Sequence, residues 1–150
     1  MAAYQPSDVA VFGAGAVGCY FGAKLASAGV AVTIIARPAA AVALRRDGIR
    51  VVQAGAEWRA PVTVATDASG VAAADLVLVA VKSPDSAAAA AALAPHLKAG
   101  ARVLCLQNGV DNAVTIGTRV SQPTYAAVVY VAARMDAPGQ PPGNAEIALG

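Results

Sequence analysis

Short runs of apolar residues alternate along the chain with longer stretches in which small and polar residues recur at helical spacing. The apolar runs cover residues 9–12, 30–36, 76–81, 101–106 and 124–133. They are rich in β-branched residues and almost uninterrupted, which is typical of strands buried on both faces of a parallel sheet. Helices are predicted between them, over residues 20–29, 39–46, 86–97 and 111–120. This alternation predicts an α/β fold, with a doubly wound, mostly parallel sheet and helices on both faces.

Several shorter patterns refine this prediction. Gly29 is expected to cap the first helix, and a serine or aspartate within 83–85 is expected to cap the helix over 86–97. Two β-like runs, over 49–53 and 58–65, are predicted to form a small peripheral excursion, after which residues 71–74 return as a brief helix. Residues 146–149 are predicted to pair back as an antiparallel edge.

A glycine motif stands where the first predicted strand meets the first predicted helix. Its residues are Gly13, Ala14, Gly15, Ala16, Val17 and Gly18, with the spacing G-x-G-x-x-G. In such a turn the first glycine allows the bend, the second lets the backbone approach a pyrophosphate, and the third lets the helix pack closely on the strand. The free N–H groups and the dipole of the helix favour an anion at that end. The motif therefore predicts a dinucleotide site.

Polar residues follow three more of the predicted strands. Arg37 comes after the second strand, where domains that bind NAD carry an acidic residue for the ribose diol. A guanidinium there binds a 2′-phosphate instead, which favours NADPH, although a solvated arginine at a strand end is the alternative. Lys82 is either a cofactor contact or an ordinary solubilising residue. Asn108 precedes Gly109, so a turn and a ribose or substrate contact both stay open.

Composition narrows the classes of function. The chain has 150 residues, of which 57% are hydrophobic and 13% charged, enough for one domain with a substantial core. The net charge of +2 is too small to indicate a nucleic-acid or membrane-surface partner, and neither is expected. No apolar run reaches the roughly 18 residues of a membrane span, and no signal-like segment is evident, so a cytoplasmic protein is expected. Residues 1–7 are expected to be a disordered lead to a domain over 8–150.

Other chemistry has little support in the sequence. Cys19 and Cys105 lie in apolar segments, which favours buried thiols over a disulfide or metal pair and suits a reducing compartment. His96, the single histidine, lies late in a predicted helix, where a surface position is expected. The sequence shows no Ser-His-Asp arrangement, paired carboxylates or metal-ligand cluster, so no metal site is predicted.

Taken together, the glycine motif, Arg37, Val79-Ala-Val-Lys-Ser83 and Leu106-Gln-Asn-Gly-Val110 resemble the N-terminal half of ketopantoate reductase (2-dehydropantoate 2-reductase). The resemblance covers most of the chain from Val9 onward. It implies a Rossmann-like domain that binds NADPH/NADP+, with the glycine turn on the pyrophosphate and Arg37 with Lys82 at the adenosine end. It also implies that Asn108 lies beside the nicotinamide riboside and the substrate, and that the Ala133 backbone contacts the cofactor.

The activity implied by the resemblance is NADPH-dependent reduction of a 2-oxo acid, 2-dehydropantoate to (R)-pantoate, towards pantothenate and coenzyme A. In that family a lysine of a helical C-terminal domain acts as the acid. The sequence stops at Gly150, before such a domain, so no catalytic residue is assigned and this half alone is expected not to turn over. The alternatives are a reductase for another 2-oxo acid and an NADP(H)-binding regulatory or structural module. Self-association as a homodimer is compatible with the apolar composition.

Overall fold

A parallel sheet forms the centre of the molecule in the computed structural model, which describes residues 3–109, 111–135 and 144–148. Its strands are β1 (Asp8–Phe12), β2 (Ala31–Ile35), β5 (Thr63–Ala65), β6 (Leu76–Val79), β7 (Arg102–Cys105) and β8 (Thr124–Ala126). The six strands lie in the order β5-β2-β1-β6-β7-β8, and every neighbouring pair is parallel. The chain moves outward from β1 to β5 and then returns to β6 on the other side of β1. The doubly wound, Rossmann-like sheet predicted from the sequence is confirmed.

Helices cover both faces of this sheet. They are α1 (Ala16–Ser27), α2 (Pro38–Asp47), α3 (Ser86–Leu93) and α4 (Asp111–Gly117). The alternation of side chains along β1 shows how the two faces are filled. Val9 and Val11 belong to a core with residues of α1 and α2, whereas Ala10 belongs to a second core with residues of α3 and α4. This burial on both faces explains why the central strands read as continuous apolar runs.

A second sheet, which the sequence did not predict, packs against α1. It contains β3 (Ile49–Gln53), β4 (Ala56–Ala60), β9 (Ala132–Met135) and β10 (Asn144–Ala148), in the order β4-β3-β10-β9. The predicted peripheral excursion is therefore divided between the two sheets. Its strands β3 and β4 belong to this second sheet, whose strands all contact α1, whereas residues 63–65 form β5 of the parallel sheet. The predicted antiparallel pairing is confirmed, because β10 pairs antiparallel with β9, but the predicted edge position was wrong, because β10 also pairs in parallel with β3. Leu149, which was included in that predicted edge, lies outside the described residues.

Several predicted boundaries also move. The run over 58–65 divides into β4 and β5 around Pro61, which has no N–H to donate to a ladder. The run over 124–133 divides into β8 and β9, which belong to different sheets. The helix predicted over 86–97 ends at Leu93, close to Pro95, and the one predicted over 111–120 ends at Gly117. Residues 68–71, rather than 71–74, form a short 3-10 helix.

The segment expected to be a disordered lead is hydrogen-bonded to the sheet in its described part. The Tyr4 hydroxyl donates to the main-chain oxygen of Asp75 at 2.8 Å, and the Ser7 hydroxyl donates to Oδ2 of Asp75 at 3.0 Å. These bonds lie at the amino edge of the sheet, because Asp75 immediately precedes β6. None of the helices within the described ranges has both the length and the apolar character that crossing a bilayer requires.

Candidate functional site

The carboxyl ends of four neighbouring strands lie side by side. Phe12 of β1 is in register with Ile35 of β2 and Val79 of β6, and Val79 is in register with Cys105 of β7. Neighbouring strands are about 4.8 Å apart, so the four ends span roughly 14 Å. They are followed by the predicted site residues: the glycine turn over 13–18, Arg37, Lys82 and Asn108. The fold therefore places these four positions at one edge, where the strand order reverses between β1 and β6.

Gly13 and Gly18 are required by the protein's own packing. Gly13 has a φ of +118°, and a Cβ on it would lie 2.9 Å from the main-chain carbonyl carbon of Ala80, which directly follows the neighbouring strand β6. A Cβ on Gly18 would lie only 2.3 Å from the main-chain oxygen of Gly13. Real Cβ atoms do not approach backbone so closely, so both positions exclude side chains. These two glycines let α1 begin directly beside β1.

Gly15 has no such internal reason to be glycine. A Cβ built there would meet no heavy atom of the described residues within 4 Å, its chain neighbours apart, and its φ of −77° is open to any residue. Gly15 is the N-cap of α1, where no side chain accepts a hydrogen bond from the first turn and no acidic residue is present. The first N–H groups of a helix have no partner within the helix. The turn therefore presents donors, partial positive charge and open space together.

Arg37 and Lys82 add two formal positive charges at this edge. Both side chains are exposed, and neither has a hydrogen bond or ion pair within the described part of the chain. Arg37 is the N-cap residue of α2, with Pro38 in the first turn, and Lys82 precedes the 3-10 helix Ser83–Asp85. Cations without protein partners beside a helix N-terminus suit an anionic ligand better than a neutral one.

Asn108 lies in the loop between β7 and α4 and is exposed. Its main-chain oxygen accepts a hydrogen bond of 2.7 Å from Nδ2 of Asn112, whose side chain folds back from the start of α4. The same Nδ2 lies 3.1 Å from Oγ of Ser83. Asn112 thus links the loop after β7 to the loop after β6. Val110, which closes the predicted Gln-Asn-Gly motif, lies outside the described residues.

A buried polar network supports this loop. Nε2 of Gln107 donates to Oγ of Ser86 at 2.7 Å, and Oγ of Ser86 donates to Oδ1 of Asn112 at 2.8 Å. These three residues, each less than 9% exposed, are the buried polar residues of the described chain. The expected capping of α3 by a side chain in 83–85 is not present, since its N-cap residue Asp85 makes no capping bond. The Ser86 hydroxyl is directed into the network instead.

One acceptor of this network lacks a partner in the described part of the chain. Oε1 of Gln107 is buried and has no hydrogen-bond partner among the described residues. An unpaired buried acceptor costs about 1–3 kcal/mol, which an apolar side chain of similar size would avoid. Little in the sequence indicates this network. The one signal is that Asn112 precedes the buried Ile116 by four positions, which places both residues on the inner side of α4.

Ala133 is not at the carboxyl edge of the parallel sheet. The prediction placed it at the end of a strand over 124–133, but β8 ends at Ala126 and Ala133 belongs to β9 of the second sheet. There it is half-buried and packs against the core that includes residues of α1. The prediction that Ala133 ends a strand of the parallel sheet was therefore wrong. The contact of its backbone with a cofactor stays a prediction.

The two cysteines are free and buried, as predicted. Burial raises the pKa of the Cys19 thiol to about 12 and that of Cys105 to about 11, which keeps both protonated and unreactive at neutral pH. Cys19 Sγ lies 3.5 Å from the main-chain oxygen of Ala14 and donates to it from beneath the glycine turn. Across the described ranges, no group of three or more His, Cys, Asp or Glu side chains is arranged to hold a metal ion.

The residues at this edge fit a dinucleotide. The open space at Gly15 leaves room for a pyrophosphate close to the backbone, and the uncapped first turn of α1 offers it N–H donors. Arg37 and Lys82 lie on either side of this turn, after β2 and β6. Ligands of doubly wound sheets bind outside the carboxyl ends of strands at such a reversal of strand order.

Comparison with known proteins identifies the family. The sequence profile described as "Ketopantoate reductase PanE/ApbA" matches residues 9–147. The chain belongs to the ketopantoate reductase family. A crystal structure of a PanE/ApbA family ketopantoate reductase from Ralstonia eutropha superposes with a TM-score of 0.86 and 45% sequence identity, over 93% of this chain and 46% of that one.

Two curated relatives are named 2-dehydropantoate 2-reductase. The protein from Mesorhizobium japonicum is 35% identical, over 87% of this chain and 47% of its own length. The protein from Halobacterium salinarum is 44% identical, over 77% of this chain and 39% of its own length. The chain thus spans about half the length, or less, of the ketopantoate reductases it matches.

Proposed function

We propose that this chain is the cofactor-binding half of an NADPH-dependent reductase of a 2-oxo acid, and that the 2-oxo acid is 2-dehydropantoate. The observation that carries the proposal is the shared edge at which an open glycine turn, two cations without a partner among the described residues and Asn108 follow four adjacent strands. Family membership and the names of the two curated relatives support the choice of substrate.

Each part of this edge has a distinct task in the proposal. The N–H groups of the first turn of α1 bind the pyrophosphate, and Arg37 with Lys82 binds the adenosine end, including its 2′-phosphate. Asn108 orients the nicotinamide riboside and a substrate oxygen. The nicotinamide, when bound, supplies the hydride to the carbonyl carbon of the 2-oxo acid. We assign the donor of the proton that completes the hydroxyl to the other half of the family's chain, as the resemblance implies.

Replacement of Arg37 tests the choice of cofactor. Arg37→Ala is expected to weaken NADPH binding by about 1.5–3 kcal/mol, roughly 10- to 150-fold, because a charge-assisted hydrogen bond to the 2′-phosphate is lost. NADH binding is expected to change by less than about twofold, since NADH lacks that phosphate. Titration calorimetry with each nucleotide measures both values on the same preparation.

Arg46→Ala is the matched control. Arg46 lies in the last turn of the same helix, α2, and pairs with Asp47 at 2.7 Å, at the opposite end from Arg37. This variant is expected to bind both nucleotides as the wild type does. An equal loss of NADPH and NADH binding in Arg37→Ala contradicts the assignment of the 2′-phosphate to Arg37.

A further inference from the structure

The buried network of Ser86, Gln107 and Asn112 joins three segments that meet at the carboxyl edge of the parallel sheet. Ser86 begins α3, Gln107 follows β7, and Asn112 lies in the first turn of α4. The hydrogen bonds run in one direction, from Nε2 of Gln107 to Ser86 and from Ser86 to Oδ1 of Asn112. Because Oδ1 of Asn112 is used in this way, its Nδ2 is turned towards the loop after β7.

Nδ2 of Asn112 donates to the main-chain oxygen of Asn108 at 2.7 Å and to Oγ of Ser83 at 3.1 Å. The main-chain oxygen of Gly109 lies further from this nitrogen, at 3.4 Å. Gly109 has a φ of +88°, so the loop bends there in a conformation that glycine allows and other residues rarely adopt. Hydrogen bonds therefore hold the loop on both sides of the Asn108 Cα. On the amino side, the Gln107 side chain bonds to Ser86, and on the carboxyl side, the main-chain oxygen of Asn108 accepts from Asn112.

We propose that Asn112 is a positioning residue, which fixes the Asn108 loop so that the Asn108 side chain meets the nicotinamide end of the cofactor. This inference rests on the proposed function. Asn112 itself is buried and acts through the loop.

The proposal predicts that Asn112 affects one end of the cofactor and not the other. In Asn112→Ala, the affinity for NADPH is expected to fall about tenfold, the usual effect of losing one or two hydrogen bonds that hold a contact group. The affinity for adenosine 2′,5′-bisphosphate is expected to stay within about twofold, because this fragment has no nicotinamide riboside. The backbone of Lys82 is held by a bond from the Asp85 N–H at 2.9 Å, which does not depend on the bond from Asn112 to Ser83. Both ligands are titrated calorimetrically against the same full chain.

Ile116→Val is the matched control for lost stability. Ile116 is fully buried on the same helix, so its truncation loosens the packing of α4 without touching the network. It is expected to bind both ligands as the wild type does, although it unfolds at a lower temperature. A loss in Asn112→Ala that is equal for the two ligands, or no loss of NADPH affinity, overturns the proposal.

Ser86→Ala is the second variant that tests the network. If Asn112→Ala does not fold, Ser86→Ala takes its place, since it removes only the hydroxyl that orients the Asn112 amide. About a threefold loss of affinity for NADPH, with none for the bisphosphate, then supports the proposal, and an unchanged NADPH affinity overturns it.

If the wild-type chain binds neither ligand, the proposed function fails and this inference fails with it. If the wild type binds both and only the variants behave contrary to expectation, this inference alone is overturned.

Discussion

The glycines of the turn have different roles, which can be distinguished by the atoms that an added Cβ would meet at each position. At Gly18, a methyl group would lie 2.3 Å from the backbone oxygen of Gly13, so this glycine serves the packing of α1 on β1. At Gly15, a methyl group would touch nothing, so this glycine leaves its space to a ligand. Stability and binding should therefore respond to different residues of the same motif.

Gly18→Ala is expected to destabilise the fold. The added methyl group meets rigid backbone rather than the end of a flexible side chain, so α1 must move away from β1, at a cost of about 1–3 kcal/mol. Urea denaturation monitored by circular dichroism measures the free energy of unfolding. Gly100→Ala is the control and should unfold nearly as the wild type does. Gly100 precedes β7, and a Cβ added there would meet no heavy atom of the described residues within 4 Å. A cost for Gly18→Ala equal to that of the control would falsify the steric explanation.

Residues at strand ends were predictable, while the buried polar ones were not. Arg37 and Lys82 follow apolar runs directly, and Asn108 follows one after a single residue. Parallel strands bring their carboxyl ends to one edge whatever the details of packing. The hydrogen bond between Ser86 and Asn112 joins residues 26 positions apart and depends on how α3 and α4 meet. No local sequence pattern determines how these two helices pack, so the network could not be predicted from the sequence alone.

At the scale of elements, Asp75 joins the chain start to β6 and to the segment after α3. Its Oδ2 accepts hydrogen bonds from the backbone N–H of Ser7 and of Asp8, and Nζ of Lys98 lies 2.6 Å from its Oδ1. The Lys98 ammonium lowers the pKa of the Asp75 carboxyl well below its ordinary range, and the donors of Asp8 and Ser7 lower it further. The ionised carboxylate therefore stabilises the folded state.

This arrangement predicts a pH-dependent stability. Because the pKa of Asp75 is lower in the folded than in the unfolded chain, its contribution is complete above the unfolded value of about 3.9 and is lost as the pH falls below it. Wild type should be more stable than Asp75→Asn by a constant amount from about pH 7 to pH 5, and the difference should shrink towards about pH 3. Thermal melts of both proteins across this range provide the test. A difference that grows on acidification contradicts the role given to the carboxylate.

The elements themselves were predictable where local pattern decides them. Strands β1, β2, β6 and β7 are apolar on both faces and appear where the sequence predicted them. The second sheet was missed because it depends on pairing between distant segments, with Arg50 of β3 in register with Asn144 of β10. Such long-range pairing leaves no periodic signal in either strand alone.

At the scale of the whole molecule, α1 is enclosed between two sheets. One side packs on the parallel sheet, where a Cβ on Gly22 would lie 2.8 Å from Cδ1 of Ile34, and the other contacts β3, β4, β9 and β10. Lys24 of α1 lies 5.4 Å from the ring centroid of Trp58 on β4, a cation–π contact across this boundary. The helix that presents the glycine turn is thus held on two sides, which keeps the N–H groups of its first turn in a fixed direction.

Binding of NADPH to Gly15→Ala tests the central claim most directly. The wild type and the Gly100→Ala control should bind NADPH with affinities within about twofold of each other in titration calorimetry. Gly15→Ala should bind at least about tenfold more weakly, about 1.4 kcal/mol, while its free energy of unfolding changes by less than about 1 kcal/mol. Affinity in Gly15→Ala equal to that of Gly100→Ala, or a wild type that does not bind NADPH, would contradict a pyrophosphate site at this turn.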